Sequence, residues 1–169
     1  MKKGLDYDSV RVFLMSLLFL FSWKNTNAFQ RSSHFPGGQQ LGRKDLMYRN
    51  VSKLKRSFPK EYNFIPKTYL MHEYAQFKLD KANAKKKQLW IGKPNCGAQG
   101  KGIIIIDKNR KLRKRTGYII SEYIDKPHLI DGYKYDLRVY AIVTCFEPLR
   151  IYVYPEGLTR ICTEKYSSK

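Results

Sequence analysis

Trp90-Ile91-Gly92-Lys93-Pro94 runs directly into Asn95-Cys96-Gly97-Ala98-Gln99-Gly100-Lys101-Gly102. An apolar strand would deliver Lys93 to a loop punctuated by Gly97, Gly100 and Gly102, and the isoleucines from Ile103 to Ile106 would carry the chain away as a second strand. Glycines let backbone N–H groups turn toward an anion and approach it closely, and a lysine adds a point charge suited to phosphate. The pattern is not a Walker A loop, which needs GxxxxGK[ST] opening a helix. It reads instead as a flap between two strands over phosphate groups, although an ordinary glycine-rich hairpin has the same composition.

A second group lies in Lys134-Tyr135-Asp136-Leu137-Arg138-Val139-Tyr140. Strand alternation places Lys134, Asp136, Arg138 and Tyr140 on one face, and Leu137, Val139, Ala141 and Val143 on the other, which suits a core. A cation–anion–cation face is costly to bury unless its charges have partners. It is either a solvated face with cross-strand ion pairs or the lining of a nucleotide cleft. In the cleft reading Lys134 and Arg138 meet phosphate or carboxylate, and Asp136 meets a hydroxyl or cation. Ser121-Glu122-Tyr123-Ile124 closes an apolar strand ahead of Pro127, where free backbone groups and apolar walls can receive an adenine edge. Tyr154-Pro155-Glu156-Gly157-Leu158-Thr159-Arg160 is expected to leave a hairpin through Gly157 and to present Arg160, whose planar fork suits a carboxylate. A surface arginine after a turn fits the same residues.

These groups need elements to hold them. Arg43 to Arg56 reads as a basic helix with Leu46, Met47, Val51 and Leu54 near one face. Glu73 to Lys87 is again helix-like, with Tyr74, Phe77 and Leu79 apolar and Lys85-Lys86-Lys87 a solvated end. Strands are expected at Gln88–Lys93, Gly102–Asp107, Gly117–Ile124, Tyr133–Phe146 and Leu149–Tyr154, the last two joined through Glu147-Pro148 as a hairpin. The unbroken run Ile103 to Ile106 predicts a strand buried on both faces. Lys108 to Arg115 is a basic connector.

Composition narrows the partners. The chain has 169 residues, with 33 Lys and Arg against 14 Asp and Glu, a net charge of +19. Such a balance predicts an anionic partner and salt-sensitive binding. Apolar residues at 43% are enough for a packed core. Cys96, Cys145 and Cys162 show neither CxxC spacing nor close pairing, so reduced thiols are expected rather than a disulfide framework or zinc site. Val10 to Trp23 is apolar but short for a bilayer span of roughly 20 residues. With Lys2 and Lys3 before it and Thr26-Asn27-Ala28 after it, residues 1–28 resemble a secretory signal peptide. A buried segment or an incorrectly joined first exon are the other readings, and the later features favour contact with cytosolic ATP. The division expected is an apolar segment and linker over 1–33 and a partial nucleotide-binding domain over 34–169.

Taken in order, WIGKP, GAQGKGI, YIISEYI, LIDGYKYDLRVY and PLRIYVYPEGLTR resemble the tubulin–tyrosine-ligase-like family of amino-acid ligases. The resemblance extends upstream through His34-Phe35-Pro36-Gly37, Gly42 to Val51 and Phe64 to Tyr69, and so covers about Trp23 to the C-terminus. The ending Cys162-Thr163-Glu164-Lys165-Tyr166 is closer to the glutamylating branch. The resemblance implies an α+β, ATP-grasp-like fold with ATP between two β-sheets. It implies that Lys93, Gln99 and Gly100 contact phosphates with Lys101 nearby, that Ser121, Glu122, Tyr123 and Ile124 form the adenine hinge, and that Lys134 and Asp136 contact the nucleotide. Arg138 would be the catalytic residue, stabilising the transferring phosphate or acyl phosphate, and Arg160 would hold the carboxylate of the incoming amino acid.

The implied reaction is ligation of free L-glutamate to glutamate side chains of tubulin C-terminal tails through an acyl phosphate, with ATP and Mg²⁺. An acidic tail as partner would also account for the net charge without nucleic acid or membrane. The implied location is the cytoplasm and cytoskeleton, including cilium or basal body. The family's magnesium ligands would lie beyond Lys169, so the domain is expected to be incomplete at its C-terminus. Two other readings stay open: a catalytically inactive truncated relative that binds microtubules by charge, and a basic nucleic-acid-binding module, for which an aromatic content of 14% would supply stacking.

Overall fold

Apolar alternation in four short segments builds the first of two units in the computed structural model, which describes residues 35–84, 88–110 and 112–167. The first unit ends at Glu122 and the second begins at Tyr123. The N-terminal apolar segment, the Lys85-Lys86-Lys87 run and the proposed division at residue 34 lie outside, or at the edge of, the described residues.

In the first unit a short turn of helix, α1 (Gln39–Gly42), leads into α2 (Lys44–Ser57). Strand β1 (Thr68–Leu70) follows, then a 3₁₀ turn (Met71–Glu73) and α3 (Tyr74–Asn83). The turn into α3 is fixed by the Leu70 N–H donating to the Glu73 carboxylate at 2.8 Å. Strands β2 (Trp90–Pro94), β3 (Ile104–Ile106) and β4 (Tyr118–Glu122) complete an antiparallel sheet in the order β1-β4-β2-β3. Cross-strand partners Tyr69 and Ile120, and Trp90 and Ile106, share the face that Phe77 of α3 covers. Phe77 meets Trp90 and Tyr69 edge-on at 5.9 and 5.4 Å between ring centroids, the geometry aromatic quadrupoles favour. The Tyr48 hydroxyl of α2 donates to the Thr68 carbonyl at 2.6 Å.

One expectation for this unit needs correction. The isoleucine run is not buried on both faces: Ile106 is fully buried, but Ile103 and Ile105 are 41% and 40% exposed. Strand β3 is the sheet edge, so alternation rather than uniform burial governs it. Leu79 lies on the exposed side of α3, where Phe77 is the buried residue. In α2 the apolar face is only half covered, and the buried residue is Asp45, held by Arg43 Nη2 at 2.8 Å. Desolvation raises the cost of that carboxylate, yet the Arg43 bonds dominate and lower its pKa. The basic connector is held to α3: the Tyr74 hydroxyl donates to the Leu112 carbonyl and Lys81 Nζ to that of Arg110.

The second unit is a three-stranded antiparallel sheet, β5 (Leu129–Ile130), β6 (Tyr133–Phe146) and β7 (Leu149–Lys165), in that order. Strand β6 falls where alternation placed it, and Glu147-Pro148 makes the two-residue connection from Phe146 to Leu149. Strand β7 runs well past Tyr154, so the sequence from Pro155 to Arg160 stays in the sheet instead of leaving it. The face expected to suit a core is also open, with Leu137 and Val139 exposed. A sheet buries a face only against a second layer, and none covers this one among the described residues.

Candidate active site

Between β2 and β3 the glycine-rich segment forms the predicted loop. Gly97, Gln99, Gly100 and Gly102 all have positive φ, at 133°, 58°, 73° and 74°. Glycine adopts this region without a Cβ penalty, whereas Gln99 does so at a cost of roughly 1 kcal/mol or more. Turns close from the Lys101 N–H to the Ala98 carbonyl and from the Ile103 N–H to the Gly100 carbonyl, both at 3.2 Å. The feet are fixed as well: the Asn95 N–H donates to the Gly117 carbonyl at 2.7 Å, and the Tyr118 hydroxyl to the Gly102 carbonyl at 3.0 Å. A Cβ placed on Gly97 or Gly100 meets nothing nearer than 4.0 Å, so the outside of the loop is open to a ligand. The open loop, its left-handed residues and the cationic Lys93 and Lys101 together fit an anionic phosphate.

Lys44 was not singled out by the sequence, where it is one basic residue among several in a helix. In the structure its N–H donates to the Asn95 carbonyl at 3.3 Å and its Nζ to the Gly97 carbonyl at 3.2 Å, so the start of α2 is tied to the loop. Lys93 is half-buried on β2, opposite Ile119 of β4. Gln99, Gly100 and Lys101 are exposed in the loop. Ser121 is buried, and its hydroxyl accepts from Thr68 Oγ1 at 2.8 Å. The Glu122 N–H is bonded to the Lys67 carbonyl at 2.8 Å. Tyr123 and Ile124 follow the end of β4, at the beginning of the second unit.

Within the second unit Asp136 lies directly across from Arg160, and Arg138 across from Leu158. Arg160 donates from Nε and Nη2 to one Asp136 oxygen at 3.0 and 2.5 Å, and the carboxylate raises the Arg160 pKa, chiefly through these bonds. Both side chains are more than half exposed, so solvent screens the pair and it adds little to stability. The structure therefore joins two residues that the sequence assigned to separate tasks. The alternation in β6 implied the charged face, but only the cross-strand register identifies Arg160 as the partner of Asp136. Arg138 is exposed on the same face. Lys134 lies over the rings of Tyr123 and Tyr166, with Nζ 5.2 and 5.6 Å from their centroids. Tyr166 was read only as part of a motif ending, and nothing in its spacing announced this contact. Among the described residues no group of three His, Cys, Asp or Glu side chains could hold a metal ion.

The fold belongs to the ATP-grasp class. It resembles the C-terminal domain of K. lactis Pby1, an ATP-grasp enzyme, with a TM-score of 0.58 at 17% identity, over 84% of this chain and 44% of that one. Residues 22–169 match the Tubulin-tyrosine ligase family, and the chain belongs to that family. It is 41% identical over 140 residues to tubulin polyglutamylase ttll6 of Danio rerio, covering 82% of this chain and 18% of that protein. It is 44% identical over 142 residues to tubulin polyglutamylase TTLL7 of Homo sapiens, covering 82% and 16%. It is 40% identical over 147 residues to tubulin monoglutamylase TTLL4 of Homo sapiens, covering 86% and 12%. The chain thus spans less than a fifth of the length of these curated relatives.

Proposed function

We propose that this chain carries the nucleotide-binding part of an ATP-dependent ligase that joins glutamate to glutamate side chains in the acidic tails of tubulin. The observation that carries the reading is the loop after Lys93, whose left-handed Gln99-Gly100 pair leaves open space for an anion. Relatives named as tubulin poly- and monoglutamylases supply the acceptor and the amino acid. In this reading a γ-carboxylate of the tail takes the terminal phosphoryl group of ATP and releases ADP. The amine of free L-glutamate then attacks the acyl carbon, inorganic phosphate departs, and an isopeptide bond remains.

The residues divide the work by charge. Lys93, Gln99, Gly100 and Lys101 hold phosphate oxygens, and Lys134 and Asp136 hold the nucleotide. Residues Ser121 to Ile124 receive the adenine. The Ser121 side chain and the Glu122 amide already have partners, so other groups of this stretch meet the base. Arg138 stabilises charge on the transferring group, and Arg160 takes the amino-acid carboxylate in place of Asp136. Such positioning and neutralisation are the main requirements of phosphoryl transfer. A cytoplasmic, cytoskeletal site of action, including cilia, follows from tubulin as acceptor.

ATP titration of the 169-residue chain in the presence of Mg²⁺ tests this reading. Lys93→Ala and Lys134→Ala are each expected to weaken ATP binding by about tenfold or more, while binding of a glutamate-rich tail peptide persists and declines with salt. Absence of ATP binding to the unaltered chain would leave only a charge-driven microtubule binder. Tighter binding of single-stranded nucleic acid than of tubulin tails at matched salt would sink the reading altogether.

A further inference from the structure

Tyr166 follows β7 and has no role in the chemistry above, yet it is anchored at both ends. Its N–H donates to the Gly132 carbonyl and its hydroxyl to the Asp125 carbonyl, each at 2.9 Å. Between these anchors the ring lies against the Lys134 ammonium, 5.6 Å from its centroid. On another side the Tyr123 ring is 5.2 Å away, and Lys134 Nζ donates to the Tyr123 hydroxyl at 3.3 Å. Lys134 is half-buried, in contrast to the exposed Asp136 and Arg138 further along β6. A free lysine loses up to roughly 2 kcal/mol of rotamer entropy when a ligand fixes it. An ammonium already held against the Tyr166 ring and by the Tyr123 hydroxyl has lost most of that freedom beforehand. Of its three N–H donors one goes to Tyr123, leaving two for an anion. Burial first, and the neighbouring Tyr123 hydroxyl second, raise the Tyr166 phenol above its usual range, so the clamp stays neutral and does not compete for the cation.

We propose that Tyr166 is a positioning residue that, with Tyr123, clamps the Lys134 ammonium in the orientation that receives a nucleotide phosphate. The proposal rests on the reading of Lys134 as a nucleotide contact and adds the device that prepares it. Because the attraction is to the ring face, phenylalanine should substitute for Tyr166 and leucine should not.

The test combines a spectroscopic signature with ATP binding, on the whole chain carrying ¹³C-labelled lysine. The ε-methylene signal of Lys134, assigned by its loss in Lys134→Arg, is expected to be shifted upfield by ring currents in the wild type and in Y166F. In Y166L at least about half of that shift disappears, since one of two rings is gone. ATP affinity falls roughly three- to tenfold in Y166L and is rescued to within about twofold in Y166F. Equal losses in Y166F and Y166L would assign the effect to the hydroxyl bond with Asp125 and overturn the proposal. If Y166L binds ATP like the wild type while Lys134→Ala loses it, the clamp fails and the nucleotide reading stands. If Lys134→Ala itself binds ATP normally, both fall together. Should circular dichroism show that Y166L does not fold, Tyr166→Met removes the same ring with a milder change of shape and carries the same two expectations.

Discussion

Asp80 shows what single residues contribute beyond the candidate site. Its carboxylate accepts from Lys67 Nζ and the Tyr69 hydroxyl, each at 2.5 Å, and from Gln76 Nε2 at 2.8 Å. The Lys67 bond first, then Tyr69 and Gln76, lower the Asp80 pKa to about 2. Lys67 is correspondingly raised, and burial of Tyr69, reinforced by Asp80, lifts its phenol to about 12. A carboxylate depressed on folding contributes stability above its unfolded pKa of roughly 4, and that contribution disappears as pH falls through the folded value. Lys67 has the opposite sign: its contribution is present below roughly pH 10 and is lost as pH rises through its folded pKa. The network that ties β1 to α3 is therefore intact between these limits. Thermal melts of Asp80→Asn should show a lower Tm than the wild type at pH 7. The two proteins should converge as pH falls from about 4 to 2, and an undiminished gap at pH 2 would show that Asp80 acts by some route other than its charge. No sequence pattern pointed to Asp80, because its partners lie 13, 11 and 4 residues away and only folding brings three donors to one carboxylate.

Elements were most legible where periodicity alone decides them. The basic helix predicted over Arg43–Arg56 is found at Lys44–Ser57, and the strand over Tyr133–Phe146 has the same bounds in the structure. Strand β7 was read as ending at Tyr154 because Pro155-Glu156-Gly157 has the composition of a turn. Instead the sheet absorbs it. Val139 pairs with Gly157 but Ala141 with Val153, so β7 takes four steps where β6 takes two. Such a bulge re-aims the residues beyond it, and the uninterrupted register that follows places Arg160 opposite Asp136. Gly157 is the element's weak point, since a Cβ there would lie 2.5 Å from the Arg138 carbonyl oxygen. Backbone cannot yield as a flexible side chain would. Gly157→Ala is expected to destabilise the hairpin by about 1–3 kcal/mol and to move Arg138. In the folded protein, amide exchange at Val139 and Leu158 should quicken while that at Trp90 and Ile120 stays unchanged. Uniform exchange across both units would refute a local role for this glycine.

At the scale of the whole molecule, the order of short motifs made the ATP-grasp class readable, but how much of each surface is covered was not. Alternation in β6 separates a charged face from an apolar one; it cannot say whether anything packs on the apolar side. In the structure Leu137, Val139 and Ile161 are exposed together, their backbone register placing all three on one face. Contiguous apolar surface of this kind drives association, while a net charge of +19 opposes it. The two tendencies respond to salt in opposite ways to ligand binding. Raising salt from 0.01 to 0.1 M shortens the screening length from about 30 to about 10 Å. This weakens attraction for an acidic peptide but also removes the repulsion between copies of the chain. Sedimentation velocity should therefore show self-association increasing with salt over the range in which tail-peptide binding decreases. Leu137→Thr combined with Val139→Thr keeps strand propensity while reducing apolar surface, so it should suppress the association and leave the peptide's salt dependence unchanged. A chain that stays monomeric throughout, or a double variant that associates as readily as the wild type, would mean that the open hairpin face is not what brings copies together.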